Sequence, residues 1–296
     1  MRANVSIRNY GFFVTNYDAQ SAARDSTAAA THHPYTDKIR QAYANKPALA
    51  AVTDPYYRGF DQKYADYWRY REWQREFDLY AKNRTLPALE LVRLPHDHFG
   101  DFAQANDGVN TVETQMADND YALGKLIEHV LHSKYRDNTL IVVVEDDAQN
   151  GADHVDAHRS LAYWIGPYVR QHAVVSTRYT TVNLLRTIED ILGLTPLGIT
   201  DGNAVPMSEV FEQRLQTLQY TALVPEVLRT TQLPLPPRTA QNSLIPSRLT
   251  ERYAQPKHTS TYWAHVMQGQ DFSIEDHLDT ARFNQALMLG LKNDNP

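Results

Sequence analysis

The chain contains no cysteine. That removes thiolate nucleophiles, disulfides and Cys-ligated zinc from its chemistry, and leaves the compartment open. No apolar run approaches the roughly 20 residues needed to span a bilayer. Residues 1–7 (Met-Arg-Ala-Asn-Val-Ser-Ile) lack the apolar core of a signal peptide. Positive charge is in deficit: 29 Lys and Arg stand against 35 Asp and Glu, for a net charge of -6. A basic footprint for nucleic acid or for an anionic membrane surface is therefore missing. No internal repeat is visible. What is present is 296 residues, 42% hydrophobic and 22% charged. This is ordinary globular composition, with enough length for a sizeable core.

The most informative stretch begins at residue 140. Residues 140–144 (Leu-Ile-Val-Val-Val) are apolar and largely β-branched, and they stop at Glu145, Asp146 and Asp147. Such a run predicts a strand buried on both faces of a sheet. Residues 88–94 predict a second buried strand, which leaves into Pro95, His96, Asp97, His98 and Phe99. Between them, residues 110–135 carry Met116, Leu123, Leu126, Ile127, Val130 and Leu131 at helical spacing. Strand, helix, strand implies a right-handed βαβ unit with parallel strands. Both carboxyl ends then share one edge of the sheet, where ligands of open α/β sheets bind. Asp97 and His98 are expected to converge there with the acids at 145–147.

Elsewhere the pattern predicts short strands near residues 5–7 and 12–14, a short helix at 36–43 and a strand at 160–165. Helices are expected at 180–192, with Gly193 as its stop, and at 206–218 and 276–291. Residues 61–82 carry Tyr64, Tyr67, Tyr70, Trp73, Phe77 and Tyr80 at intervals of three or four. That stripe is expected to pack against the sheet rather than to form a ligand platform. Residues 233–246, rich in proline, predict an extended segment. The organisation expected is a main domain over 1–232, with 233–296 as an extended segment and helix packing on it.

Carboxylates and imidazoles without cysteine suit a catalytic divalent metal, and mixed Asp/His sets suit phosphoryl-transfer sites. Adjacent acids at a strand end repel one another unless a cation relieves them. Asp146, Asp147 and His158 are the leading candidates on these grounds. His154 follows Gly151, Ala152 and Asp153 in a loop and is a neighbour of the site at most. Arg159 suits a phosphate as well as a nearby acid. His96 and His132 read as surface residues, and Asp118 and Asp120 as members of a solvated helix face.

These residues resemble a family. Residues 5–11, 94–98, 117–124, 144–149, 153–159 and 180–189, with Trp263 and residues 271–273, are similar, in order, to the C-terminal part of the phosphoesterase branch of the alkaline phosphatase superfamily. These are bacterial phospholipase C- and acid phosphatase-like enzymes, often fused to a β-propeller. The resemblance implies an α/β fold: a mostly parallel central sheet with helices on both faces, and metals at the strand ends. It implies a metal-dependent phosphoesterase with Asp97, Asp146, Asp147 and His158 as metal ligands. His98, Glu145, His154 and Arg159 become second-line ligands or substrate contacts. Zinc or manganese is the expected metal, with calcium, magnesium and iron as alternatives. The expected substrate is a small phosphate ester or a lipid head group. Relatives are typically exported. The family also carries an earlier strand ending in an acidic ligand, followed by a nucleophile at a helix start. No Ser or Thr among the first 36 residues matches that context. Catalysis is therefore expected to need an N-terminal segment as a partner; the alternative is a non-catalytic metal- or anion-binding remnant.

Overall fold

The computed structural model describes residues 4–17, 30–145, 160–243, 251, 254–275 and 277–292. In chain order its main elements are β1 (Ile7–Tyr10), β2 (Val14–Asn16), α1 (Pro34–Asp37), β3 (Ala42–Ala44), α2 (Asp66–Asn83), β4 (Leu89–Val92) and α3 (Val112–Leu131). They continue with β5 (Ile141–Val144), β6 (Ala162–Ile165), α4 (Thr181–Leu192), α5 (Ile199–Gly202), α6 (Ser260–Val266) and α7 (Thr280–Lys292).

The chain is a mixed α/β protein, but its sheet differs from the mostly parallel one expected. Among the described residues the strands form three pairs. β1 and β4 are parallel, with Ile7 opposite Leu89 and Tyr10 opposite Val92. β2–β3 and β5–β6 are antiparallel. β4 and β5, the expected parallel neighbours, share no ladder. Both nevertheless reach one apolar cluster: Val92, Leu94 and Ile141 pack around Tyr10, Trp73, Phe77 and Leu126. Hydrophobic pattern specifies that a strand is buried against a core; it does not name its hydrogen-bonding partner. Burial falls short as well: β4 is half-buried throughout, and Val144 at the end of β5 is 44% exposed.

The helices follow their sequence signals. The aromatic stripe of α2 is core: Tyr70, Trp73 and Phe77 are buried, and Tyr67 stacks on Tyr121 of α3 at 6.3 Å. α3 starts at a reciprocal cap between Thr111 and Thr114. α4 stops at Gly193, whose φ of 65° is the left-handed conformation that glycine adopts without a Cβ penalty. Residues 36–43 differ from expectation, giving the end of α1 and the start of β3, and within 206–218 only Ser208–Val210 is a helical turn. α6 and α7 pack on Phe102 and Val112 through Trp263, Met267, Phe283 and Ala286. A Cβ on Gly290 would stand 2.4 Å from the Trp263 ring, so α7 approaches that closely only because residue 290 is glycine.

One polar cluster under β1 has a consequence for stability. Arg8 grips Glu76 with two bonds of 2.7 Å, and Arg75 reaches Glu72 at 2.5 Å and Glu76 at 3.2 Å. Asp54 and Glu90 complete the group, Glu90 lying opposite Arg8 across the β1–β4 ladder. Four carboxyls thus face two guanidiniums. Burial pushes the Glu90 carboxyl up to about 7, opposed by a hydrogen bond from Trp73 Nε1 and reinforced by the charge of Glu76. A raised carboxyl binds more protons folded than unfolded, so it lowers stability as pH climbs from the unfolded value toward 7. Glu90→Gln keeps an acceptor for Trp73 and removes the charge. It is expected to raise the melting temperature at pH 8, to leave it nearly unchanged at pH 4.5, and to flatten the slope between. Equal effects at both pH values would contradict the assignment.

Candidate functional site

β4 ends in the turn Pro95–Asp97, and proline at its first position presets the backbone. That turn sends successive side chains to two places. His96 points inward and is fully buried. Asp97 and His98 line a cavity of about 240 Å³, which they share with Glu145, the residue after β5. Residues distant in sequence thus meet at one site, as the strand-end argument expects, although β4 and β5 are not hydrogen-bonded. Asp146, Asp147, His154, His158 and Arg159 lie outside the described residues.

Asn119 of α3 lines the same cavity and donates to Leu94 O at 2.8 Å and to Asp66 Oδ2 at 3.0 Å. His98 is buried, edge-on to Phe60 at 5.5 Å, and its Nε2 lies 3.8 Å from Glu275 Oε1. Glu275 also pairs with Arg93. Phe99, Met116, Leu278, Phe283 and Leu287 give the same cavity its apolar lining. The lining holds two carboxylates and an imidazole, donors of the type a hard or borderline divalent cation takes, although among the described residues only Asp66, His96 and Asp118 bring three such ligand atoms within 4.8 Å of one another. None of the described residues lining the cavity carries a hydroxyl.

Behind the cavity lies a group that sequence reasoning placed on the surface. Asp66, His96 and Asp118 are all buried, with ligand-type atoms within 4.8 Å of one another, an arrangement that could hold a metal ion. Their present partners are N–H donors. Asp118 accepts from the backbone N–H groups of Asp66 and Tyr67, at 2.6 and 3.0 Å, and from His96 Nδ1 at 2.8 Å. Asp66 accepts from His96 N, from Asn119 Nδ2 and from Arg69 Nη1. The start of α2 has no side-chain cap of its own, so Asp118 supplies one from α3, at the helix end that favours negative charge. His96 Nε2 faces Gln62 O at 3.1 Å. Both ring nitrogens therefore face acceptors, which requires an imidazolium. Burial pulls His96 down, yet the Asp118 hydrogen bond and the charges of Asp66 and Asp118 raise it above its ordinary value. The group is thus a neutral quartet with Arg69. A cation entering it must displace protons and donors already in place.

The signal for this cage was present in α3. Asp118 shares the stripe of Gln115, Tyr121 and Ala122, and a polar residue on a buried stripe calls for a buried partner. His132 and Asp120 are exposed, as expected. Among the described residues no helix is long and apolar enough to cross a membrane. No known family model matches the chain, and no curated protein matches it.

Proposed function

We propose that the chain is the metal-binding part of a metal-dependent phosphoesterase of the alkaline phosphatase type. The observation that carries this reading is the meeting of Asp97, His98 and Glu145 in one cavity. Asp97 and His98, with Glu145, would hold the metal, and Asp146, Asp147 and His158 are the further ligands proposed from the resemblance. A bound cation would neutralise phosphate oxygens and polarise the ester. The side chains keep their own tasks: Glu275 restrains His98, and Asn119 ties the cavity wall to the buried cage. The hydroxyl nucleophile is proposed to come from a further polypeptide segment. Among the described residues β4 and β5 each pair on one side only, and a strand added at such an edge would complete a ladder and cover surface now half-exposed, which favours that partner.

The test is calorimetry with Mn²⁺ or Zn²⁺, paired with p-nitrophenyl phosphate hydrolysis. Metal binding is expected in the chain and at least tenfold weaker in Asp97→Asn, with hydrolysis at background in both. Absence of binding by either metal contradicts the whole reading. Turnover lost in Asp97→Asn contradicts only the need for a second segment. A second reading, a non-catalytic metal or anion binder, is favoured by the closed trio of Asp66, His96 and Asp118, which suits a metal held for structure. It predicts metal binding that is indifferent to Asp97.

A further inference from the structure

We infer that α7 is the substrate-reading wall of the cavity and selects phosphate esters of short apolar alcohols. The inference rests on the reading of Asp97, His98 and Glu145 as the metal and phosphate site, and it concerns the apolar lining of the same cavity.

α7 is fixed in place by its core face. Phe283, Ala286 and Gly290 recur at helical spacing and meet the Trp263 and Phe102 cluster. Residues one step round the helix, Asn284 and Leu287, are thereby turned toward the cavity, which both line. Leu278, just before the helix, lines the cavity with them, as do Phe99 and Met116. Apart from Asn284, what α7 and the chain just before it offer a ligand is therefore hydrocarbon. A polyol or nucleoside leaving group would lose its water there and find few replacement hydrogen bonds. An alkyl chain loses nothing and removes its own surface from water.

Asn284 supplies the orienting contact. Its Nδ2 is buried and has no hydrogen-bond partner among the described residues. An unpaired buried amide donor is costly. An ester or phosphoryl oxygen in the cavity would accept from it. Asn284 and Leu287 thus set a polar point beside an apolar one, which distinguishes an alkyl phosphate from free phosphate and from an alcohol. The size of the cavity limits the chain: about 240 Å³ is below the roughly 300–1,000 Å³ of pockets for drug-sized ligands.

The experiment is calorimetric titration of the Mn²⁺-loaded chain with inorganic, methyl, butyl and octyl phosphate, and with butanol. Affinity is expected to rise about fourfold per methylene between methyl and butyl, and to level off before octyl. Leu287→Ser should flatten that rise, weakening butyl phosphate by a larger factor than methyl phosphate. Asn284→Ala should weaken methyl and butyl phosphate by the same factor. Thermal melting of both variants checks that the fold is retained. Equal affinity for methyl and butyl phosphate would overturn the inference and leave the metal–phosphate reading intact. Butanol binding with the full chain-length gain would also overturn it, by showing a greasy groove indifferent to phosphate. Failure of every phosphate to bind would overturn the metal–phosphate reading and the inference with it.

Discussion

Asp118→Ala is expected to destabilise the fold by about 3–5 kcal/mol, the range for removing one partner of a buried ion pair. The change deletes three contacts together. Two backbone N–H groups at the start of α2 lose their cap, and the His96 imidazolium loses its nearest counter-charge. No water replaces Asp118, which has no exposed surface. Against a typical total of about 5–15 kcal/mol, the loss brings the chain near its folding limit. Urea unfolding followed by tryptophan fluorescence measures it. A shift below about 1 kcal/mol would mean that the cage contributes little.

Arg69→Met is expected to cost at least as much, roughly 4 kcal/mol or more, although it adds an apolar side chain. The Arg69 guanidinium is buried and donates to the carbonyl oxygens of Arg58, Gly59, Asp61 and Tyr64 as well as to Asp66 Oδ1. One fork therefore closes the loop that leads into α2. Methionine fills the volume and takes the donor from the carbonyls of Arg58, Gly59 and Tyr64 and from Asp66 Oδ1, while Asp61 O keeps only its 3.3 Å bond from Tyr64 N. Arg69→Lys should recover only part of the loss, because an ammonium cannot reproduce the planar fork. Full recovery in Arg69→Lys would reduce the network to simple charge pairing. Asp66 joins both sites, so the double variant with Asp118→Ala should lose less than the two single losses combined.

Much of this molecule is legible along the chain, and the exceptions share a cause. α2, α3 and α4 appear where apolar spacing and end signals place them, because those signals are local. The strands appear near their expected positions, but their pairing does not follow, since an apolar run such as that of β5 records burial and not the neighbour that provides it. His96 and Asp118 were misplaced for the same reason. Each is polar, and the partner that makes its burial tolerable lies far away in sequence. Asp97, His98 and Glu145 line one cavity because each follows a strand that packs into the same apolar cluster, whereas the single parallel sheet from which the sequence argument derived their meeting is not formed among the described residues. Asn284 and Leu287 gave no such signal: nothing in residues 276–291 says that one flank of that helix closes a cavity.

The most direct test of the central claim is anomalous scattering from crystals of the chain grown with Mn²⁺. The account predicts a peak in the cavity bounded by Asp97, His98 and Glu145, absent in Asp97→Asn, with none among Asp66, His96 and Asp118. A peak in the buried trio alone would contradict it.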